Sequence, residues 1–305
     1  MADLAVIILT RNEERHIERA LGNVADVARE IFVVDSYSTD RTVALAQENP
    51  RATVLQHEFI NHSDQFQWAL DTIKTDCAWI MRLDADEMLD AALLDEIETK
   101  LPTLPSEVVG VALKRKHIFM GRWIRYGGRY PIVLLRIWRR GTGRIENRWM
   151  DEHIVVSGGR TITFHSDFSD VNLNDLTSFT AKHNDYATRE AIERLNDEFG
   201  LFARDRAVSV GAGGRQARVK RITKLRLYNR LPFGVGPVFY FIWRYFALLG
   251  FLDGREGFIY HFLQGFWYRL LVEAKTHELR RAVSRLRHIS EIKAELAQLT
   301  DLHIQ

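Results

Sequence analysis

Four short apolar segments recur within the first 85 residues, and most are separated by a polar turn and a stretch with helical spacing. They cover residues 4–9, 31–34, 53–55 and 78–83 of this 305-residue chain. Continuous β-branched and aliphatic runs are typical of strands that are buried on both faces. Their alternation with helices indicates a doubly wound, mostly parallel α/β sheet. We therefore predict one α/β domain over residues 1–170, with a substantial core.

Acidic residues stand where two of these strands should end. Asp84 and Asp86 follow the segment 78–83, and Asp35 follows the segment 31–34. Residues i and i+2 of an extended chain point the same way, so Asp84 and Asp86 can face one site. The carboxyl ends of parallel strands meet at one edge of the sheet, where open α/β folds bind nucleotides. Since carboxylates suit Mg²⁺ or Mn²⁺, the sequence predicts a nucleotide-activated substrate with a divalent metal.

Other general properties narrow the class of protein. The 42 basic and 40 acidic residues nearly balance, and the single cysteine, Cys77, excludes an internal disulfide. The chain runs from Met1 directly into a predicted strand, without the features of a secretory signal peptide. We therefore expect a cytoplasmic location. A purely structural role for Asp84 and Asp86 is also open, because both could cap the helix that should follow them.

The pattern changes in the second half of the chain. Short strands are predicted at residues 108–114, 132–139, 154–156 and 161–164, and helical spacing extends over residues 173–202. We assign residues 171–210 to a helical segment on the acceptor side. A glycine-containing hinge at 211–214 then introduces a C-terminal region, 211–305.

The C-terminal region combines basic and aromatic residues. Seven arginines and lysines lie within 215–230, and two aromatic-rich apolar segments follow at 231–252 and 258–272. The first is about long enough to cross a bilayer, but Arg244 interrupts it and Pro237 disrupts its start. This composition favours helices lying in an anionic membrane interface.

Three other arrangements of this region stay open: a span, a re-entrant pair of helices, or a buried subdomain or oligomer interface. The basic run adjoins apolar helices rather than a base-reading surface, which argues against a nucleic-acid partner. The tail from residue 273 onward has the charge pattern of a solvated amphipathic helix. We expect a peripheral protein at the inner face of the cytoplasmic membrane.

Three blocks of the sequence resemble the signature blocks of family 2 glycosyltransferases in content, order and spacing. They are VIILTRNEE (residues 6–14), VVDSYSTDRT (33–42) and LDADE (83–87). The resemblance implies a GT-A fold, which is a mixed sheet flanked by helices. It also implies a nucleoside-diphosphate sugar as donor, with a uridine preference, a Mn²⁺ or Mg²⁺ ion, and inversion at the anomeric carbon.

Later blocks are similar to a bacterial branch of that family. They are FMGRW (119–123), RRGTGR (139–144), MDEH (150–153), KHNDY (182–186) and YHFLQGFWY (260–268). The branch contains lipopolysaccharide-core β-glucosyltransferases and exopolysaccharide transferases. Its resemblance implies a lipid-linked saccharide or polysaccharide as acceptor.

The resemblance also implies roles for individual residues. Asp86 would bind the metal, Asp84 the ribose and the metal, and Asp35 the ring nitrogen of the base. A late histidine completes the metal shell in many GT-A enzymes, which suggests His165, although a structural role for it is open. Further donor-binding candidates are Thr10, Arg11, Asn12, Glu13, Gln65 and Ala85.

An inverting transfer needs a general base for the acceptor hydroxyl. The family's two-acid motif corresponds to Asp151 and Glu152: simple alignment places Glu152 in the base position, and a shift of one residue places Asp151 there. A surface ion pair with Arg148 is the structural alternative. Two other functions stay open, a sugar-phosphate nucleotidyltransferase and a non-catalytic glycan-assembly scaffold. The first lacks its glycine-rich phosphate loop, because residues 10–15 contain no glycine.

Overall fold

The computed structural model describes residues 1–146, 152–202, 232–302 and 304. Its N-terminal part alternates strands and helices as predicted. The elements are β1 (Leu4–Thr10), α1 (Ile17–Val24), β2 (Glu30–Asp35), α2 (Thr42–Gln47), β3 (Ala52–Gln56), α3 (His62–Thr72) and β4 (Trp79–Asp84).

The middle of the chain adds strands to the same sheet and ends in a long helix. The elements are β5 (Glu87–Leu89), α4 (Ala91–Lys100), β6 (Val108–Phe119), β7 (Arg122–Trp123), β8 (Ile132–Arg139), β9 (Gly143–Ile145), β10 (Ile154–Val156), β11 (Arg160–Val171) and α5 (Leu176–Phe199). The C-terminal helices are α6 (Val235–Ile242), α7 (Gly254–Tyr260), α8 (Tyr268–Val283) and α9 (Ile289–Thr300).

The main sheet is mixed, in the order β3-β2-β1-β4-β8-β6-β11-β5, with β7 paired to β6. Strands β3, β2, β1 and β4 are parallel, and β8 lies antiparallel between β4 and β6. Strand β5 returns antiparallel to β11, so Glu87 lies opposite Asp170. This pairing brings the chain just after β4 next to the end of β11. The mixed sheet flanked by helices, with a helical C-terminal extension, is confirmed.

Burial on both faces explains why β1 is continuously apolar. Leu4, Val6 and Ile8 pack into the core beneath α1 and α4, while Ala5 and Ile7 pack on the opposite face, beneath α3. Side chains alternate between the two faces of a strand, so a strand covered on both sides needs apolar residues at every position.

The C-terminal tail is not a solvated face. Helices α8 and α9 pack on α5, where they bury Leu279, Val283 and Leu296 against Ile192 and Leu195. The charged amphipathic pattern predicted for residues 273 onward is present in both helices. The solvated placement is wrong, because α5 covers their apolar stripe.

A turn near Gly250 separates the two apolar helical stretches of the C-terminal region. Helix α6 continues through the π-helical residues Trp243–Ala247, and α7 continues through His261–Trp267 into α8. Among the described residues no single helix is long and apolar enough to cross a bilayer. One pair, Val235–Ala247 with Gly250–Val283, has the length and composition together but is bent by 73°. The hinge at 211–214 and the basic run at 215–230 lie outside the described residues.

Asp253 joins the C-terminal helices to the loop between β7 and β8. Its two carboxylate oxygens accept hydrogen bonds from the backbone N–H groups of Arg125 and Tyr126, each at 3.0 Å. Asp253 is 2% exposed. This contact holds the loop 124–131 against the turn that precedes α7.

Candidate functional site

A cavity of about 2130 Å³ opens at the carboxyl edge of β1 and β4 and extends to α6 and α8. Nine of the predicted site residues line it: Thr10, Arg11, Asn12, Glu13, Gln65, Asp84, Ala85, Asp86 and Glu152. Asp35 and His165 are not among its lining residues. Asp151 lies outside the described residues.

Asp35 organises the loops that form one wall of the cavity. Its carboxylate is fully buried and accepts hydrogen bonds from the Thr10 hydroxyl at 3.0 Å and the Ser38 backbone N–H at 2.8 Å. Asn12, with a φ of 58°, accepts a 2.8 Å bond from the Thr39 N–H. The loops after β1 and β2 thus hold each other in place. The contact between Asp35 and a base stays a prediction, because the carboxylate faces these loops.

An aromatic ring lies beside Arg11 on the same wall. The guanidinium carbons of Arg11 and Arg189 are 5.4 and 5.3 Å from the centroid of the Phe59 ring. Such cation–π contacts order the two long side chains at the cavity. Gln65 is 2% exposed, and its amide donates to the Val34 carbonyl at 2.9 Å. Gln65 therefore holds the end of β2 in place as well as lining the cavity.

Two arginines hold Asp84 in its ionised form. The Arg82 Nε lies 3.4 Å from one carboxylate oxygen, and the Arg136 Nη2 lies 3.2 Å from the other. Burial alone would raise the pKa of Asp84, but these guanidinium groups lower it well below its usual range. Arg136 also contacts Glu87, whose other oxygen accepts the Asp84 N–H at 3.0 Å. Asp84 is consequently a fixed anion at the end of β4.

Asp86 has the opposite electrostatic environment. Its Oδ2 accepts a hydrogen bond from the Asn172 amide at 2.9 Å. Burial and the nearby Asp170 carboxylate raise its pKa, and Lys182 opposes that change. Asp170 is itself held by His117 at 2.9 Å and by Arg115 at 3.7 Å. The negative charge of Asp86 is thus incompletely compensated, and a cation bound beside it would stabilise it.

Lys182 on α5 also faces this part of the cavity. Burial alone would lower the pKa of its ammonium group, but Tyr186 and Asp86 raise it above its ordinary value. A lysine that stays charged beside Asp86 and Asp170 can neutralise part of their negative charge and can also contact a phosphate. The sequence block KHNDY indicated this region, but not the role of its lysine.

The donor set at Asp84 and Asp86 fits a metal that is shared with a substrate. Within the described ranges no group of three or more His, Cys, Asp or Glu side chains is arranged around one ion position. Mg²⁺ is commonly held by one or two carboxylates together with substrate phosphates, and Mn²⁺ accepts the same oxygen ligands. Asp86 and Asp84 provide such carboxylates, and a diphosphate would supply further oxygens.

The predicted ligand set is not assembled, because His165 lies elsewhere. Its backbone N–H donates to Glu96 on α4 at 3.1 Å. Along β11 it is five positions before Asp170, roughly 16 Å of extended strand. The strand continues to Val171, so Asp170 reaches Asp86 and His165 does not.

Glu152 lies at the cavity wall and is connected to Asp84 through Arg82. Its Oε1 is 3.3 Å from the Arg82 Nη2, and its side chain is 12% exposed. Burial would lower the pKa of Arg82, but Asp84 and Glu152 raise it above its ordinary value, so the Arg82 guanidinium stays charged. Of the two predicted base candidates, Glu152 is the one that the structure describes, and it faces the cavity.

Residues 5–171 match the family model described as "Glycosyl transferase family 2". Among curated proteins, an uncharacterized glycosyltransferase of Rickettsia bellii is 42% identical over 95 residues, which is 31% of each chain. The match therefore spans about a third of the length of such relatives. The lipopolysaccharide core biosynthesis glycosyltransferase LpsC of Rhizobium meliloti is 29% identical over 277 residues, covering 85% of this chain and 89% of LpsC.

Two solved structures are also similar to this chain. TarS 1-349 of S. aureus in complex with UDP-GlcNAc is 14% identical, with a TM-score of 0.46, over 100% of this chain and 93% of that one. Glucosyl-3-phosphoglycerate synthase of Mycobacterium tuberculosis in complex with Mn²⁺, UDP and glucosyl-3-phosphoglycerate is 19% identical, with a TM-score of 0.30. The matched region covers 37% of this chain and 43% of the synthase chain.

Proposed function

The chain belongs to glycosyl transferase family 2, and from that membership we propose that it is an inverting, metal-dependent glycosyltransferase. It would move one sugar from a nucleoside-diphosphate sugar, with UDP the preferred nucleotide, to a lipid-linked saccharide or polysaccharide of the cell envelope. The observation that carries the proposal is the pair Asp84 and Asp86 at the edge of a cavity large enough for donor and acceptor together. The similarity to LpsC over most of the chain supports lipopolysaccharide or exopolysaccharide synthesis as the context.

The residues around Asp86 suit the charge that develops on the departing diphosphate. Asp86, with Asp84, would hold Mn²⁺ or Mg²⁺, which when bound stabilises the negative charge of the leaving group. Lys182 adds a permanent cation on α5 beside the same position. Arg82 and Arg136 keep Asp84 ionised and fixed, so that little reorganisation is needed when the donor binds.

Glu152 is our candidate for the general base. Inversion requires the acceptor hydroxyl to lose its proton on the face of the sugar opposite the diphosphate. Glu152 faces the cavity, and its ion pair with Arg82 through Oε1 orients the carboxylate. Among the residues that the structure describes, Oε2 has no such partner and is left for the acceptor. Asp151 remains the alternative.

The function can be tested by following nucleoside diphosphate release from a panel of UDP-, GDP- and dTDP-sugars with Mn²⁺. We expect slow metal-dependent hydrolysis of one donor without an acceptor, and faster release with a lipid-linked saccharide from an envelope extract. Proton NMR of the product should show inversion at the anomeric carbon. Pyrophosphate release from a nucleoside triphosphate and a sugar phosphate would instead identify a nucleotidyltransferase, and no turnover of any donor would favour a scaffold.

We further propose that the C-terminal helices lie on an anionic membrane surface at the cytoplasmic face. Large apolar side chains are exposed from the turn before α6 to α7: Phe233, Phe239, Trp243, Phe246, Phe251 and Phe258. An apolar patch of this extent is uncommon on monomeric soluble proteins, and aromatic residues are favoured at membrane interfaces. The basic run at 215–230 precedes this patch in the sequence and would add attraction to anionic lipids.

Removing two of these aromatic residues should detach the protein from vesicles. Phe246 and Phe251 are 58% and 44% exposed and do not line the cavity. The double variant Phe246→Ser/Phe251→Ser should bind phosphatidylglycerol vesicles about two orders of magnitude more weakly, given ~1.5–3 kcal/mol for each buried aromatic side chain. Flotation of the full chain measures this. The control Leu299→Ser changes an equally exposed residue on α9; equal flotation of both variants would rule out this membrane contact.

A further inference from the structure

Two arginines line the end of the cavity that the C-terminal helices form. Arg244 is 4% exposed, donates from Nε to the Gly127 carbonyl at 2.7 Å and from Nη1 to the Gln264 amide oxygen at 2.9 Å. Its Nη2 is buried and has no acceptor within the part of the chain that the structure describes. The same holds for the Nε of Arg129, whose guanidinium lies 5.1 Å from the centroid of the Tyr260 ring.

Neither arginine has a carboxylate partner among the described residues. The charge of Arg129 helps to lower the pKa of Asp170, but the carboxylate of Asp170 is in contact with His117 and Arg115 instead. Buried charges in proteins are normally paired, because an unpaired one loses its hydration without compensation. The arginine pair, Arg129 and Arg244, is therefore a site of uncompensated positive charge within the cavity.

The neighbouring titratable groups respond to this charge. Burial lowers the pKa of Arg129, and the nearby Arg244 and Arg115 lower it further. Burial alone would raise the pKa of Tyr240, but Arg244, Arg269 and Arg129 lower it to about 8. A purely structural role for Arg244 would be to hold the loop at Gly127 in place. This role accounts for the Nε contact of Arg244, and the Tyr260 ring accounts for one face of the Arg129 guanidinium. Neither contact provides an acceptor for Arg244 Nη2 or Arg129 Nε.

We propose that Arg129 and Arg244 form a subsite for a phosphate group of the acceptor, separate from the donor diphosphate site at Asp86. Guanidinium groups match phosphate oxygens with paired N–H donors, and two of them suit a doubly charged phosphate. The inference rests on the proposed transferase function, since it names a substrate class for the same cavity.

The position of the subsite fits such an acceptor. Arg129 is close enough to the sheet edge for its charge to lower the pKa of Asp170. Arg244 directly follows Trp243 on the continuation of α6, and Trp243 and Phe239 line the cavity and are 51% and 62% exposed. A lipid-linked saccharide has its phosphate between an apolar chain and a sugar. That order matches the order of these three surfaces.

The first test uses inorganic phosphate and the full chain. At constant ionic strength, phosphate should raise the midpoint of Tyr240 ionisation, because a bound anion offsets the positive charge that lowers it. The ultraviolet absorbance of tyrosinate reports the titration, and the difference from Tyr240→Phe isolates this residue. In Arg129→Gln/Arg244→Gln the midpoint should move toward 10 without phosphate, the ordinary tyrosine value, and phosphate should no longer shift it.

The matched control is Arg122→Gln, which removes an arginine of the same region that is 48% exposed and lies outside the cavity. It should bind phosphate as the wild type does, whereas the double variant should bind at least ten-fold more weakly. If the double variant does not fold, hydrogen exchange of the wild type decides. Phosphate should slow exchange of the amides at 127–130 and 244–248, and unchanged rates there would overturn the proposal.

A vesicle arm distinguishes the source of the phosphate. If the subsite takes the acceptor phosphate, the double variant loses phosphate binding but floats normally with phosphatidylglycerol vesicles. If it takes a phospholipid headgroup, both are lost, and the acceptor assignment is overturned. Because phosphate binding needs neither donor nor acceptor, a wild type that binds phosphate without turning over any donor would contradict only the transferase function. Normal donor turnover without phosphate binding would contradict only this subsite.

Discussion

Replacing Asp86 with asparagine should reduce metal-dependent turnover of the sugar donor by about 10³-fold, the scale of losing one preorganised electrostatic contact to a leaving group. Asparagine keeps the shape of the side chain and one oxygen, so the hydrogen bond from Asn172 can remain. What it removes is the negative charge that would attract the cation. The apparent affinity for Mn²⁺ in the turnover assay should fall in parallel.

The variant should fold at least as well as the wild type. Burial and Asp170 raise the pKa of Asp86, which means that its ionised form is held at a cost in the free protein. Removing the charge should leave the melting temperature unchanged or raise it. A large fall in activity with an unchanged melting temperature then identifies a functional carboxylate. Asp95→Asn on the exposed face of α4 is the control, and an Asp86→Asn variant with wild-type Mn²⁺ dependence would reject the metal assignment.

Strands β1, β2 and β4 could be predicted closely because they are largely buried on both faces. The predicted residues 4–9, 31–34 and 78–83 lie within one residue of the observed bounds. Residues 132–139 and 154–156 were predicted with the bounds that β8 and β10 have. In contrast, β6 and β11 extend beyond the predicted residues 108–114 and 161–164. Their extensions carry charged residues that resemble a loop in sequence, but Arg115 and His117 on β6 contact Asp170 on β11. Charged residues were taken to end these strands because they interrupt the hydrophobic pattern. In the structure their charges are compensated by residues on the neighbouring strand.

The same extension explains what the sequence could not predict about the site. Asp170 and Asn172 reach Asp86 only because β11 continues past His165, and no local motif marks them. Arg136 contacts Asp84 because β8 lies antiparallel beside β4, a pairing that depends on the whole sheet. The grouping of Asp84 and Asp86 was predictable from their block, although a turn after β4, and not an extended strand, places Asp86. Partners from remote strands required the register of the sheet.

Replacing Glu152 with glutamine should lower the rate of transfer to the acceptor by about 10²- to 10⁴-fold, the usual contribution of a general base. Glutamine retains an oxygen for Arg82, so the cavity and the donor site should keep their geometry. Donor binding, measured by thermal stabilisation with Mn²⁺, should therefore be unchanged while kcat falls. The acidic limb of the pH profile of kcat, which reports protonation of the base, should disappear with it.

Asp151→Asn is the comparison that gives the result its meaning, because the two acids are neighbours in the sequence and only one can hold the acceptor proton. A loss of less than ten-fold in Asp151→Asn beside the large loss in Glu152→Gln assigns the base to Glu152. The reverse pattern assigns it to Asp151. Equal, near-normal rates in both variants would place the base elsewhere in the cavity. Donor hydrolysis without acceptor separates these outcomes from damage to the donor site, since attack by water on the donor still requires Asp86 and its cation.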